Sequence, residues 1–283
     1  MKTQRLVNSV VMPCIGFGTA DLTSNIAGIV GLAIRAGYRL LDTARVYGSE
    51  KGVGKAVADC IEAGICTREE LFIQTKLNPE KHTYEGVFES FNESMEELKL
   101  SYIDQYLIHW PVPRGTENDY SWRNIEVWRA FEELYSQGKV RAVGLCNFLE
   151  RHYLDIRENC KIAPMTNQIE IHPEFQQRGL VRFSQKQGML IQAWSPMGRR
   201  LVTNSMITGI AKKYMKNSGQ ILLRWSIDSG FVPLSRSSNN SRITGNINIF
   251  DINLDEEDKT SLDAMNTHNN HLDVWAYKRQ IMY

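Results

Sequence analysis

The chain has 283 residues, of which 42% are hydrophobic, enough to bury a substantial core in one large domain. A formal net charge of +1 excludes the strongly basic balance of a general nucleic-acid binder and gives no reason to expect an acidic membrane as partner. No apolar run reaches the length needed to span a bilayer.

In chain order, the opening "QRLVNSVVMP" reads as a short hairpin, placed to close the floor of a barrel. Then comes an alternation of strand-length apolar runs with segments of helical period. "CIGFG" at residues 14–18 is the first strand. "YRLLDT" leads to a helix that places Val53, Val57, Cys60 and Ile61 on one face. "LFIQTK" leads to another carrying Val87, Phe91, Met95 and Leu98, and "IDQYLIHW" to Val127, Trp128, Phe131 and Leu134, with Gly138 as its C-terminal stop. "VRAVGLCNF", "TNQIEI", "MLIQAW" and "GFVPLS" complete eight units. Repeated βα units need right-handed crossovers and a parallel sheet, and eight in one unbroken chain predict a (β/α)8 TIM barrel. The expectation is an α/β single domain over residues 1–283, with an N-terminal β-hairpin and a C-terminal tail over the barrel mouth. The rival, an open dinucleotide-binding sheet, calls for GxGxxG after its first strand, and "GFGTAD" lacks the third glycine.

In such a barrel, chemistry belongs to the C-terminal ends of the strands. The second strand ends at Asp42 with Tyr47 in the loop after it, the third at Lys76 and the fourth at His109. The fifth ends at Cys146 and Asn147, the sixth near Gln168, the seventh at Trp194, and the eighth leads to Arg236. Singly, each has an ordinary explanation: a helix cap, a rim aromatic, a solvated lysine, a core histidine. A carboxylate, a phenol, an amine and an imidazole on three adjacent strands form a set with a chemical logic. A free phenol has a pKa of about 10, and a nearby ammonium is expected to lower it. A buried ammonium in turn needs a carboxylate. Asp42, Lys76 and Tyr47 form that chain, and His109 can orient an incoming carbonyl oxygen for general-acid catalysis by Tyr47.

The motifs "GFGTA", "LLDTARVYGSEKGVGKA", "FIQTKL", "YIDQYLIHWP", "GKVRAVGLCNF", "NQIEIHP", "AWSPMG" and "PLSRSSNNSRITGN" together resemble the aldo-keto reductase family, on the branch of the aldose reductases, 2,5-diketogluconate reductases and prostaglandin F synthases. The resemblance runs over nearly the whole chain. It implies that Asp42, Tyr47, Lys76 and His109 are the catalytic tetrad and that a nicotinamide dinucleotide lies extended over the barrel mouth. Thr19, Cys146, Asn147, Gln168, Trp194 and Ser195 match positions around the nicotinamide, with Trp194 stacking beneath the ring. Cys146 stands where the family commonly has serine. Arg236, Ser237 and Arg242 match the segment that recognises the adenosine 2'-phosphate, and Asn246 an adenine contact, so NADP(H) is expected in preference to NAD(H). Arg236 replaces the usual lysine, and Gly245 the usual acidic neighbour of Asn246. Arg199 and Arg200 occupy a loop where many relatives carry an acid; they approach the pyrophosphate or face water.

For the substrate pocket the expected walls are Trp110, the loop residues Tyr120 and Trp122, and the tail residues Trp275 and Tyr277. Ala20 and Asn78 replace aromatics found in many relatives, which suggests a wide, polar mouth suited to keto sugars or 2-oxoaldehydes. The expected partner is thus a small-molecule carbonyl substrate, with no nucleic acid and no membrane, and the closed barrel suggests a monomer. The five cysteines show no CxxC spacing, and "MKTQRLVNSVV" has no long apolar core, so a cytoplasmic location is expected. "GSEKGVGKA" fails as a phosphate-binding loop and reads as the start of a helix. His268 and His271 lack a third placed ligand, so no metal is expected. Two alternatives of other classes stand beside the leading reading of NADPH-dependent reduction of aldehydes and ketones. One is a catalytically weak, cofactor-binding regulatory protein on the same barrel. The other is a metal-dependent hydrolase or isomerase, for which the strand ends offer no ligand cluster.

Overall fold

The computed structural model describes residues 2–267. Two short antiparallel strands, β1 (Thr3–Arg5) and β2 (Val11–Pro13), make the expected hairpin. Eight parallel strands then close on themselves: β3 (Gly16–Gly18), β4 (Leu40–Asp42), β5 (Phe72–Lys76), β6 (Ile103–Ile108), β7 (Val140–Cys146), β8 (Thr166–Glu170), β9 (Leu190–Trp194) and β10 (Val232–Ser235). β10 pairs with both β9 and β3, so the barrel has no open edge. Parallel strands covered by helices outside and filled inside should be apolar along their whole length. β6 is buried at all six residues but departs from this at Asp104 and Gln105, which are polar and buried.

The intervening helices are α1 (Ile26–Arg35), α2 (Glu50–Glu62), α3 (Tyr84–Leu98), α4 (Tyr120–Ser136), α5 (Glu150–Arg157) and α6 (Arg178–Lys186). After β9 come α7 (Ser205–Lys213) and α8 (Ser218–Asp228), and after β10 come α9 (Asn240–Ile247) and α10 (Glu256–Asp263). The apolar stripes read from the sequence face the barrel at Val53, Val57 and Cys60, at Val87, Phe91 and Leu98, and at Val127, Trp128, Phe131 and Leu134. Ile61 departs from the reading: it is 37% exposed, because the 100° step per residue carries it past the edge of the buried face of α2. α4 stops where expected. Gly138 takes a left-handed φ of 70°, which lets Lys139 N donate to Leu134 O at 3.0 Å.

The "GVGKA" stretch lies inside α2, and its two glycines serve packing. A Cβ on Gly54 would come within 2.4 Å of the backbone oxygen of Leu98, so the helix approaches the end of α3 more closely than any other residue permits. No helix among the described residues is long and apolar enough to cross a membrane.

Candidate active site

Asp42 and Lys76 close the ends of β4 and β5, and His109 comes directly after β6. Tyr47 sits in the 3-10 turn Arg45–Tyr47 that succeeds β4, whose exit is shaped by Gly48 at φ 63°. The three neighbouring strands thus bring all four polar groups to one end of the barrel. Lys76 is fully buried, and its Nζ donates to Asp42 Oδ1 at 2.7 Å, to Thr43 O at 3.0 Å and to the Tyr47 hydroxyl at 3.2 Å. The Tyr47 hydroxyl lies 3.4 Å from His109 Nε2, with the two rings edge-on. His109 Nδ1 has no partner among the described residues.

The electrostatics differ in one respect from the sequence expectation. The Tyr47 phenol is held above its ordinary pKa, not below it: burial raises it, and the Lys76 ammonium offsets only part of the rise. The Asp42 carboxylate, which holds the same ammonium, adds to the rise, since its charge disfavours a second anion nearby. Burial disfavours the Lys76 charge, but the Asp42 carboxylate beside it more than offsets this and the lysine's pKa is raised. Burial, with the Lys76 charge second, pushes His109 well below the usual imidazole range, so it is a neutral ring near pH 7. The arrangement is a neutral phenol O–H beside a neutral imidazole, with a fixed ammonium behind it to receive developing negative charge. It can give a proton to an oxygen held at His109 Nε2.

Above these groups opens a cavity of about 660 Å³, bordered by Tyr47, His109, Trp110, Cys146, Gln168 and Trp194, and also by Asn147 and Ser195. Trp194 Nε1 donates to Asn147 Oδ1 at 2.9 Å, and Asn147 Nδ2 donates to His109 O at 3.1 Å. Asn147 adopts a left-handed φ of 64°, which turns its amide back across the rim as a brace between the indole and the histidine. The Cys146 thiol lies 3.6 Å from Gln168 Oε1 and is pushed up to about 12 by burial, so it is a protonated, unreactive group.

A second cavity of about 650 Å³ shares Met197, Gly198 and Arg236 with the first. Ser237, Arg242, Asn246 and Lys212 border it, so the cleft has an amide-and-indole end and a cationic end. Arg236 stands between them, 3.7 Å from Asp21 across the groove.

The sequence profile of the Aldo/keto reductase family matches residues 15–267. The chain belongs to the aldo/keto reductase family. It is 40% identical over 267 residues to the 9,11-endoperoxide prostaglandin H2 reductase of Trypanosoma cruzi, covering 92% of this chain and 90% of that protein. It is 39% identical to the glyoxal reductase of Bacillus subtilis, covering 93% and 92%. Among solved structures, a Bombyx mori aldo-keto reductase in complex with NADP superposes with a TM-score of 0.90 at 34% identity, covering 98% of this chain and 96% of that one.

The remaining residues that the sequence of this aldo/keto reductase singles out differ in their placement. Ala20 borders the first cavity, as does Arg199. Asn78 does not: its side chain accepts from Glu80 N at 3.1 Å and caps the short turn Pro79–Lys81, so its polar group is spent on the backbone. Thr19 lies one layer beneath the cavity, buried, with its hydroxyl on Asp42 O at 3.0 Å and beside Ser49 Oγ at 2.8 Å. Tyr120 packs edge-on against His152 and Trp122 is 62% exposed; neither is part of the cavity wall. Trp275, Tyr277, His268 and His271 lie outside the described residues. Among the described residues there is no cluster of three or more His, Cys, Asp or Glu side chains placed to hold a metal.

Sequence reasoning misses three residues, Gln74, Gln105 and Gln192, all fully buried in the barrel interior. Their signal is period two. Gln74 stands two before Lys76 and Gln192 two before Trp194, so each shares its strand face with a residue already singled out.

Proposed function

We propose that this aldo/keto reductase reduces aldehydes and ketones to alcohols with NADPH, with Tyr47 as the proton donor. The observation that carries the reading is that Lys76 Nζ and His109 Nε2 both lie within 3.4 Å of the Tyr47 hydroxyl, which borders the cavity. The residues present fit the dinucleotide. The cationic end of the cleft offers Arg236, Arg242 and Ser237 to a phosphate, and a guanidinium can engage two of its oxygens. The other end offers a flat Trp194 ring fixed by its own hydrogen bond, and Gln168 as an amide partner for the carboxamide. A nicotinamide held there would supply hydride chemistry at the carbonyl carbon.

The chain's own groups do the rest. His109 holds the carbonyl oxygen by donating to it from Nε2, as a neutral ring with no charge to neutralise. Tyr47 transfers its proton to that oxygen as negative charge builds there. Lys76 stabilises the phenolate left behind, and Asp42 keeps Lys76 charged and pointed at Tyr47.

The favoured substrates are small polar carbonyls, 2-oxoaldehydes or keto sugars. Ala20 leaves the mouth wide, and Arg199 and Arg236 border the same cavity. Relatives named glyoxal reductase and methylglyoxal reductase support this choice. NADH binds more weakly, because the cationic end has no 2'-phosphate to meet. The test is loss of NADPH absorbance with a panel of aldehydes and ketones, wild type against Tyr47→Phe. Wild-type turnover that falls by about 10³-fold or more in the variant is expected. Equal rates in the two proteins refute the mechanism.

A further inference from the structure

We propose that Gln74 and Gln192, on β5 and β9, are positioning residues that fix which end of the Gln168 amide faces the nicotinamide carboxamide. The proposal rests on the reductase reading above and deepens it. β5 and β9 stand on opposite sides of the barrel, so contacts between these side chains cross its interior. Asp42 Oδ1 accepts from three donors: Lys76 Nζ at 2.7 Å, Gln74 Nε2 at 2.7 Å and Gln168 Nε2 at 3.0 Å. A carboxylate only accepts, so both glutamines must turn their NH2 groups towards it. Their second N–H groups both reach Gln192 Oε1, from Gln74 at 3.2 Å and from Gln168 at 3.0 Å. Gln192 must then present its own NH2 to the other side. It does, donating to Gln74 Oε1 at 2.7 Å and to Gln105 Oε1 at 3.1 Å. Gln105 passes the same polarity outward, giving an N–H to Thr166 Oγ1 at 2.8 Å.

An isolated amide can be turned over at little cost, but here a flip of any one of these four places two acceptors or two donors face to face. The consequence reaches the cavity. Both N–H groups of Gln168 are used below, so the atom it turns towards Cys146 and the cavity is the acceptor Oε1. An acceptor there selects the NH2 end of the carboxamide and thereby one of the two faces of the nicotinamide ring. The net is buried where a barrel of this type ordinarily packs branched aliphatics, and that placement is hard to explain by stability alone.

The test uses Gln74→Met and Gln192→Met, which keep side-chain length and remove the hydrogen-bonding ends. Affinities are measured by fluorescence titration for NADPH and for 2'-phospho-ADP-ribose, which lacks the nicotinamide. Transfer of deuterium from each C4 position of labelled NADPH is measured with one aldehyde. Loss of an oriented hydrogen bond predicts NADPH binding weaker by about tenfold with the fragment unchanged, and a measurable leak of hydride from the second face. Unchanged NADPH affinity and face selection, or an equal loss for both ligands, overturns the proposal. Wild-type turnover is run alongside: its failure would refute the reductase reading, while the binding comparison would still decide the role of the glutamines.

Discussion

Replacing Lys76 by methionine isolates the charge at the centre of the site. The side chain is fully buried, and methionine fills most of its volume while deleting the ammonium. At the observed 3.2 Å from the Tyr47 hydroxyl and an effective dielectric near 20, a unit charge stabilises a phenolate by about 5 kcal/mol, close to four decades in a proton-transfer step. Some of that is recovered by water entering at the cavity floor, so a fall in kcat of about 10³-fold is expected. The same change leaves the Asp42 carboxylate buried with only its amide donors, which costs about 3–5 kcal/mol of stability. Loss of activity could then reflect loss of fold, and the double variant Asp42→Asn, Lys76→Met separates the two. With both charges removed the stability should return towards wild type, while the rate should not. Steady-state NADPH oxidation and thermal melting are measured on all three proteins. A folded double variant working within about tenfold of wild type would refute the role given to Lys76.

Arg236→Ala should weaken NADPH by roughly 10- to 100-fold and leave NADH nearly unchanged, as read by titration with each, since a charge-assisted bond to phosphate is lost. Asp21→Asn should act in the opposite sense: Arg236 no longer has to leave an ion-pair partner at 3.7 Å, and NADPH tightens by about two- to fivefold at low salt, an effect that vanishes at high salt. His82 gives a pH dependence to stability. It is buried against Asn124 Oδ1 at 2.8 Å, and burial, partly offset by that bond, lowers its pKa to about 4. The unfolded chain takes up a proton near pH 6.5 that the folded one refuses, so stability is complete above that value and falls towards pH 4 by about 3 kcal/mol. His82→Gln should flatten this part of a urea-denaturation pH series. Gly54→Ala should cost about 2 kcal/mol, roughly 4–8 °C in Tm, because the added methyl meets the Leu98 backbone oxygen.

The barrel was legible because its periodicities are strong: eight apolar runs, each succeeded by a helical stripe, leave few other topologies. Strand ends were legible for the same reason, since a barrel fixes which end of each strand carries polar groups. Asn78 misled because an asparagine before proline has a local use, capping the next turn, that competes with any pocket role. The direction of the Tyr47 shift is not legible from the sequence for a related cause. Pairing lysine with tyrosine alone ignores burial, which raises the phenol most, and Asp42, which holds the same ammonium at 2.7 Å, against 3.2 Å for the phenol. The glutamines escaped notice because an amide in a strand signals nothing by composition. Only register across the barrel shows that residues 118 positions apart, Gln74 and Gln192, touch.

The four groups proposed for acid–base chemistry all come from the first 109 residues, and the side chains that line the proposed dinucleotide cleft mostly from residues 146–246. This division of labour lets the two halves of the gene diversify separately. Many changes in the later half can then retune the cleft with Asp42, Tyr47, Lys76 and His109 left in place, while Asp21, paired with Arg236, and Asn147, bonded to His109 O, tie the halves at the rim. The interior amides bind the two halves most densely, and substitutions there should be tolerated only in concert.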